Sequence, residues 1–144
     1  MLLVDTNVLV DVLEDDPEWS NWSIHQLRTQ AKIHQLFINP VIYAELSTTF
    51  SSVEALDQTV DELDLQMTAM PRAALFLAGK AFVRYRHSGG VKLNVLGDFF
   101  IGAHAVVSGM PILTRDTQRY RTYFSKVQLI SPENSAGPKY FSND

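Results

Sequence analysis

LLVDTNVLVDVL, residues 2–13, is the stretch that decides the fold. Leu2, Leu3 and Val4 form a short apolar run of the kind that makes a buried strand. Thr6 and Asn7 mark a turn, and Val8, Leu9, Val12 and Leu13 then recur at helical spacing. A buried strand that passes straight into a helix is the start of a β-α unit, and such units build parallel sheets. Asp5 stands at the junction beside this apolar run, where an uncompensated charge is costly.

The rest of the chain repeats the pattern. Glu14-Asp15-Asp16-Pro17 ends the first helix, because proline disfavours helical geometry at the residue before it. Ser20 or Ser23 is a capping residue for a second helix to about Leu36, with Ile24, Leu27, Ala31 and Ile33 near one face. LFINP is a second strand, and Pro40 opens a helix over 41–51. A helix over about 53–64 and a weak strand, LQMTAM, follow. Pro71 starts a long helix to about His87, with Ala74, Leu77, Ala78, Ala81, Phe82 and Tyr85 as its apolar stripe. Gly97-Asp98 starts another, closed by Gly109. MPILT is a strand, DTQRY a turn or short helix, and VQLIS the last strand. The pattern predicts a three-layer α/β/α domain with a mainly parallel central sheet, spanning 1–144 as one unit with an irregular tail over about 132–144.

Four acids share the position of Asp5 beside or within apolar runs: Asp5, Glu45 in NPVIYAELS, Asp98 in LGDFFIGAHA, and Asp116 in MPILTRDTQRY. Converging carboxylates hold Mg²⁺ or Mn²⁺ against phosphate substrates. Asp5 directly follows one strand and Asp116 lies just past another, which directs both to the carboxyl edge of the sheet, where ligands collect. Asp98 opens a helix and Glu45 lies one turn into another, so both can reach the same crevice. Each acid also has a local alternative: an Asx turn at Asp5, a helix cap at Asp98, a turn at Asp116. Glu45, among Val41, Ile42, Ala44 and Leu46, is the hardest to explain without a partner.

Composition narrows the chemistry. The 144 residues include no cysteine, which excludes disulfides, thiolate zinc sites and cysteine nucleophiles. No apolar run has the length of a membrane span, and MLLVD lacks a basic leader region, so a cytoplasmic location is expected. The net charge of −4 hides a division. Residues 1–79 carry 12 acids and 3 bases, whereas residues 80–126 carry 8 bases and only the acids Asp98 and Asp116. A basic half that encloses two isolated acids suits a polyanion meeting a metal site. Arg84, Arg86, Lys92, Arg115, Arg119 and Arg121 are candidate phosphate contacts. Tyr85, Tyr120 and Tyr123, interleaved with them, either stack on unpaired bases or pack beneath the arginine stems. His104, in an apolar helix, reads as a hydrogen-bonded core residue. His25, His34 and His87 have no ligand spacing.

LLVDTNVLVDVL, NPVIYAELS, GDFFIGAHAVVSGMPILTRD and RYRTYFSKVQLISP, in this order, resemble the PIN-domain ribonucleases, and specifically the VapC toxins of type II toxin–antitoxin pairs. The resemblance covers nearly the whole chain, departing in VKLNVLG, where many relatives have a proline-containing lead-in. It implies that Asp5, Glu45, Asp98 and Asp116 form an acidic quartet for Mg²⁺ or Mn²⁺, with Asn7 and Thr114 in support. The expected reaction is metal-assisted hydrolysis of RNA phosphodiester bonds, in which Asp5 and Asp98 hold one ion and Glu45 or Asp116 orients the water. The resemblance also implies a VapB-like antitoxin partner and a homodimer. Trp19 and Trp22 are either exposed anchors for that partner or staples of the second helix. Two other functions compete: a receiver-type phosphoryl-transfer domain, which needs a lysine after a late strand, and an RNA-binding module of the same fold without catalysis.

Overall fold

The computed structural model describes residues 1–134. Five strands form one all-parallel sheet in the order β3-β2-β1-β4-β5: β1 Leu2–Val4, β2 Leu36–Ile38, β3 Leu65–Met67, β4 Ile112–Leu113 and β5 Leu129–Ile130. Seven helices among the described residues cover it as a three-layer α/β/α fold: α1 Thr6–Leu13, α2 Ser20–Ala31, α3 Pro40–Ser47, α4 Val53–Glu62, α5 Arg72–His87, α6 Leu96–Ser108 and α7 Gln118–Tyr123. β1 lies at the centre with Leu2, Leu3 and Val4 fully buried, as a strand covered on both faces must be. The chain leaves β1 for β2 on one side and later returns to β4 on the other. The reversal opens a crevice at the carboxyl ends of β1 and β4.

Most expected elements are present, and the differences have local causes. The second helix starts without a side-chain cap from Ser20 or Ser23. Instead Asp16 Oδ1, just before Pro17, accepts from the Glu18 and Trp19 amides. It also ends at Ala31, leaving Ile33 exposed, and buries Ser23, Gln26 and Gln30 beside Leu27. α3 is shorter than 41–51 and buries only Ile42 and Leu46, so Glu45 is half-buried rather than deep in an apolar helix. In α1 the buried set is Val8, Leu9 and Asp11, and Leu13 is exposed. α5 keeps its expected stripe, with Ala74, Ala78, Ala81 and Tyr85 buried. Gly109 adopts a φ of +65° at the end of α6, a left-handed turn that glycine enters without a side-chain clash.

Trp22 is 1% exposed and staples α2 to the core, which rules out its role as an exposed anchor; Trp19 is half-buried, edge-on to it at 6.1 Å. His104 is buried and accepts from Asn39 Nδ2 at 3.1 Å, while Asn39 Oδ1 caps α3 through the Ile42 amide at 2.9 Å. This pair joins the helix that carries Glu45 to the one that carries Asp98. Among the described residues no helix is long and apolar enough to cross a membrane. Most of the tail expected to be irregular lies outside the described residues.

Candidate active site

Asp5 follows β1 and precedes α1, so the strand delivers its carboxylate to the crevice at the sheet edge. It makes no side-chain cap to α1. Instead three side-chain donors converge on its Oδ2: Tyr120 Oη at 2.7 Å, Thr114 Oγ1 at 2.9 Å and Asn7 Nδ2 at 3.4 Å. Asn7 also donates to Thr114 Oγ1 at 3.2 Å and accepts the Arg115 amide at 3.3 Å, which ties α1 to the segment after β4. The supporting positions Asn7 and Thr114 therefore both contact Asp5.

Glu45 reaches the crevice from α3, where Thr6 Oγ1 donates to its Oε1 at 2.5 Å. Its Oε2 lies against the first turn of α6. A Cβ built on Gly97 would stand 2.5 Å from that oxygen, so only glycine leaves room for it there. Asp98 is the next residue and makes no cap to α6; its Oδ2 lies 3.7 Å from Arg119 Nε. Asp5, Glu45 and Asp98 line one open cleft of about 300 Å³ together with Thr6, Asn7, Val10 and Arg115. Asp116 differs from the other three. It is exposed, does not line the cleft, and acts on Asp98 only through its charge.

The electrostatics report crowded, partly desolvated acids. Burial pushes Asp5 up to about 6, with a further rise from the Glu45 carboxylate and opposition from the Tyr120 and Thr114 hydrogen bonds. Burial likewise pushes Asp98 up to about 7, helped by Asp5, Glu45 and Asp116, while Arg119 works against the shift. Burial and the facing acids hold the Tyr120 phenol well above its usual value, so it remains a proton donor to Asp5. Among the described residues no three of the acids stand close enough to form a finished cation cage. The donor set still fits a hard divalent cation: all the donors are carboxylate oxygens, and two of the groups are held up in pKa by mutual repulsion and burial that a cation would reverse.

The expected phosphate contacts divide. Arg115 lines the cleft, but its guanidinium is bonded to Asp11, and Arg119 lies beside Asp98 and over the Tyr85 ring. Arg84 donates to the Tyr123 carbonyl, Arg86 lies over Phe82, and Arg121 pairs with Glu133. Lys92 is exposed, and its backbone amide donates to Tyr85 Oη. The tyrosines are not a base-stacking platform. Tyr85 and Tyr120 are buried, and Tyr123 packs on Phe99 and Tyr85, because α5, α6 and α7 share an aromatic core.

Sequence reasoning missed Thr6, Asp11 and Tyr120 as site residues. Some signal was available: Asn7 and Asp11 are one helical turn apart, and Tyr120 lies four residues after Asp116.

An all-parallel α/β sheet with an acidic crevice at its switch point defines the class whose ligands bind at the carboxyl ends of the strands. Within that class the chain belongs to the PIN domain family, whose family model matches residues 2–125. Comparison with curated proteins finds no match. Among solved structures the chain is similar to VapBC2 from Rickettsia felis bound to a DNA fragment from its promoter, at 18% identity and a TM-score of 0.68, covering 90% of this chain and 97% of that one. It is also similar to VapBC-1 from nontypeable Haemophilus influenzae, at 15% identity and a TM-score of 0.68, covering 90% and 96%. A toxin–antitoxin complex from Klebsiella pneumoniae is similar at 20% identity and a TM-score of 0.63, covering 92% and 98%. These likenesses establish the shared fold.

Proposed function

We propose that the chain is a Mg²⁺- or Mn²⁺-dependent endoribonuclease and the toxin of a VapBC-type toxin–antitoxin pair. The observation that carries this reading is the placement of Asp5, Glu45 and Asp98 along one cleft at the sheet's switch point, two of them held as costly, high-pKa carboxyls. Asp5 and Asp98, with Glu45 and Asp116 beside them, would hold a divalent cation, which would supply charge neutralisation at the scissile phosphate and a water of lowered pKa.

The protein's part is positioning. Tyr120, Thr114 and Asn7 fix Asp5 through one oxygen and leave the other without a side-chain donor among the described residues. Thr6 fixes Glu45 at Oε1, so Oε2, against Gly97, is the oxygen that takes a proton from the attacking water. Asp116 at the rim orients water or completes the ligand set when substrate arrives. The basic half of the chain supplies the field that draws in a polyanion.

Several structural neighbours are toxin–antitoxin complexes, which supports a VapB-like antitoxin as partner, and a basic side chain entering the acidic cleft is the chemistry by which it would block the site. A homodimer belongs to the same reading. Incubation with a panel of structured RNAs in Mg²⁺ or Mn²⁺ tests it. Discrete internal cuts that a chelator abolishes are expected, and intact RNA throughout the panel would count against it.

A further inference from the structure

We propose that Arg115 grips a phosphate of the RNA strand in the cleft, and that Asp11 and Trp19 are positioning residues that hold its guanidinium for that contact. The inference rests on the ribonuclease reading and names one substrate contact within it. Arg115 Nε and Nη2 donate to Asp11 Oδ2 and Oδ1 at 2.8 and 3.0 Å, a fork that fixes the guanidinium plane. Asp11 is 1% exposed and also accepts from Ser23 Oγ at 2.8 Å, so its carboxylate is anchored to α2. The guanidinium carbon lies 5.4 Å from the Trp19 ring centre, and the Arg115 amide is held by Asn7.

Two of the five guanidinium N–H groups are used by Asp11. The other three have no acceptor among the described residues, while the side chain stays 30% exposed on the wall shared with Asp5, Glu45 and Asp98. A buried ion pair kept for the fold alone gains little over apolar packing. A pair that leaves three donors without a protein acceptor on a residue lining an open cleft makes sense when an anion completes it, and a strand phosphate suits a guanidinium. Three of the other candidate cations have protein partners of their own: Arg84 the Tyr123 carbonyl, Arg121 Glu133, and Arg119 Asp98, while Lys92 does not line the cleft.

The test compares wild type with the double variant Asp11→Asn/Arg115→Gln, which removes the cation without stranding a buried acid, and with Arg115→Lys, which keeps a charged partner for Asp11. Exposed Arg28→Gln on α2 controls for the loss of one positive charge. Folding is confirmed by thermal melting. RNA affinity is measured over a salt series in an Asp98→Asn background, and kcat and KM in the active enzyme. In the double variant KM is expected to rise about tenfold with kcat little changed, and the slope of log affinity against log salt to fall by about 0.7 for the lost phosphate contact. Arg115→Lys should raise KM while keeping the slope. A wild-type KM and slope in both folded variants, with wild type cutting RNA normally, overturns the Arg115 assignment alone. A wild type that neither binds nor cuts RNA overturns the ribonuclease reading and this inference with it.

Discussion

The Tyr120 hydroxyl donates to Asp5 Oδ2 at 2.7 Å across 115 residues of chain. It is the shortest of the three side-chain bonds to that oxygen, and it places α7 in direct contact with the acid at the end of β1. A hydrogen bond to a charged acceptor contributes more than a neutral one, about 1.5–3 kcal/mol. Tyr120→Phe keeps the packing and removes the donor. The variant should lose about 2 kcal/mol in urea unfolding at pH 8, where Asp5 is ionised. Its activity should also require higher pH, because the Asp5 carboxyl, already raised to about 6, loses a bond that holds it down.

Asp5 and Asp98 give the metal-free protein a recognisable pH dependence. Both have folded-state pKa values above the usual 3.8, near 6 and 7, so folding favours their protonated forms. The stability from those protons is fully present below about pH 4 and is lost as pH rises through 6 to 7. In chelator, Tm should therefore fall between pH 5 and pH 8, and Asp98→Asn should fall less steeply. Added Mn²⁺ should recover the loss at pH 8 but not at pH 5. Parallel profiles for wild type and Asp98→Asn would remove the support for a desolvated Asp98.

Gly97 separates stability from activity. Its φ lies outside the left-handed region, so alanine suits the first turn of α6 and should stabilise that helix by up to about 1 kcal/mol. The new Cβ, however, would stand 2.5 Å from Glu45 Oε2, and the flexible glutamate must shift from its place in the cleft. Gly97→Ala is expected to melt at or above the wild-type temperature while cutting RNA at least about tenfold more slowly, a loss of roughly 1.4 kcal/mol in transition-state stabilisation. Wild-type kinetics in this variant would show that the Glu45 position does not matter.

Asn39 should be among the more damaging polar positions to truncate. Asn39→Ala removes the α3 cap, worth about 1 kcal/mol, and leaves buried His104 without its partner, worth about 1–3 kcal/mol more. Urea unfolding should show a combined loss of about 2–4 kcal/mol. A His104→Ala variant made in the Asn39→Ala background should then cost less than it does alone, since the two share one bond.

The sequence made the sheet legible because its strands are short apolar runs closed by Asp5, Asn39-Pro40 or Thr114, and the long α5 stripe carries an unambiguous helical period. It also marked the acids, since Glu45 and Asp98 sit in apolar surroundings that solvated charges avoid. It did not show that Asp11 is buried. That depends on Arg115, which lies 104 residues away and meets it only after β4 pairs with β1. Tyr120 was hidden for the same reason: its hydroxyl finds Asp5 only once α7 folds over the crevice. Periodicity reports what a residue's own element buries, and these contacts arise between elements. The exposure of Asp116 outside the cleft lined by the other three acids is likewise not encoded by spacing along the chain.

The central claim is that the acidic cleft cuts RNA with a divalent cation held by Asp98 and Asp5. Its most direct measurement is cleavage of a structured RNA by wild type and by Asp98→Asn in Mn²⁺, each with and without chelator, beside thermal melts of both proteins. The account predicts metal-dependent cuts by wild type, none by the variant, and a variant that melts no lower than wild type at pH 8 without metal. Undiminished cleavage by Asp98→Asn, or wild-type cleavage that persists in chelator, would contradict it.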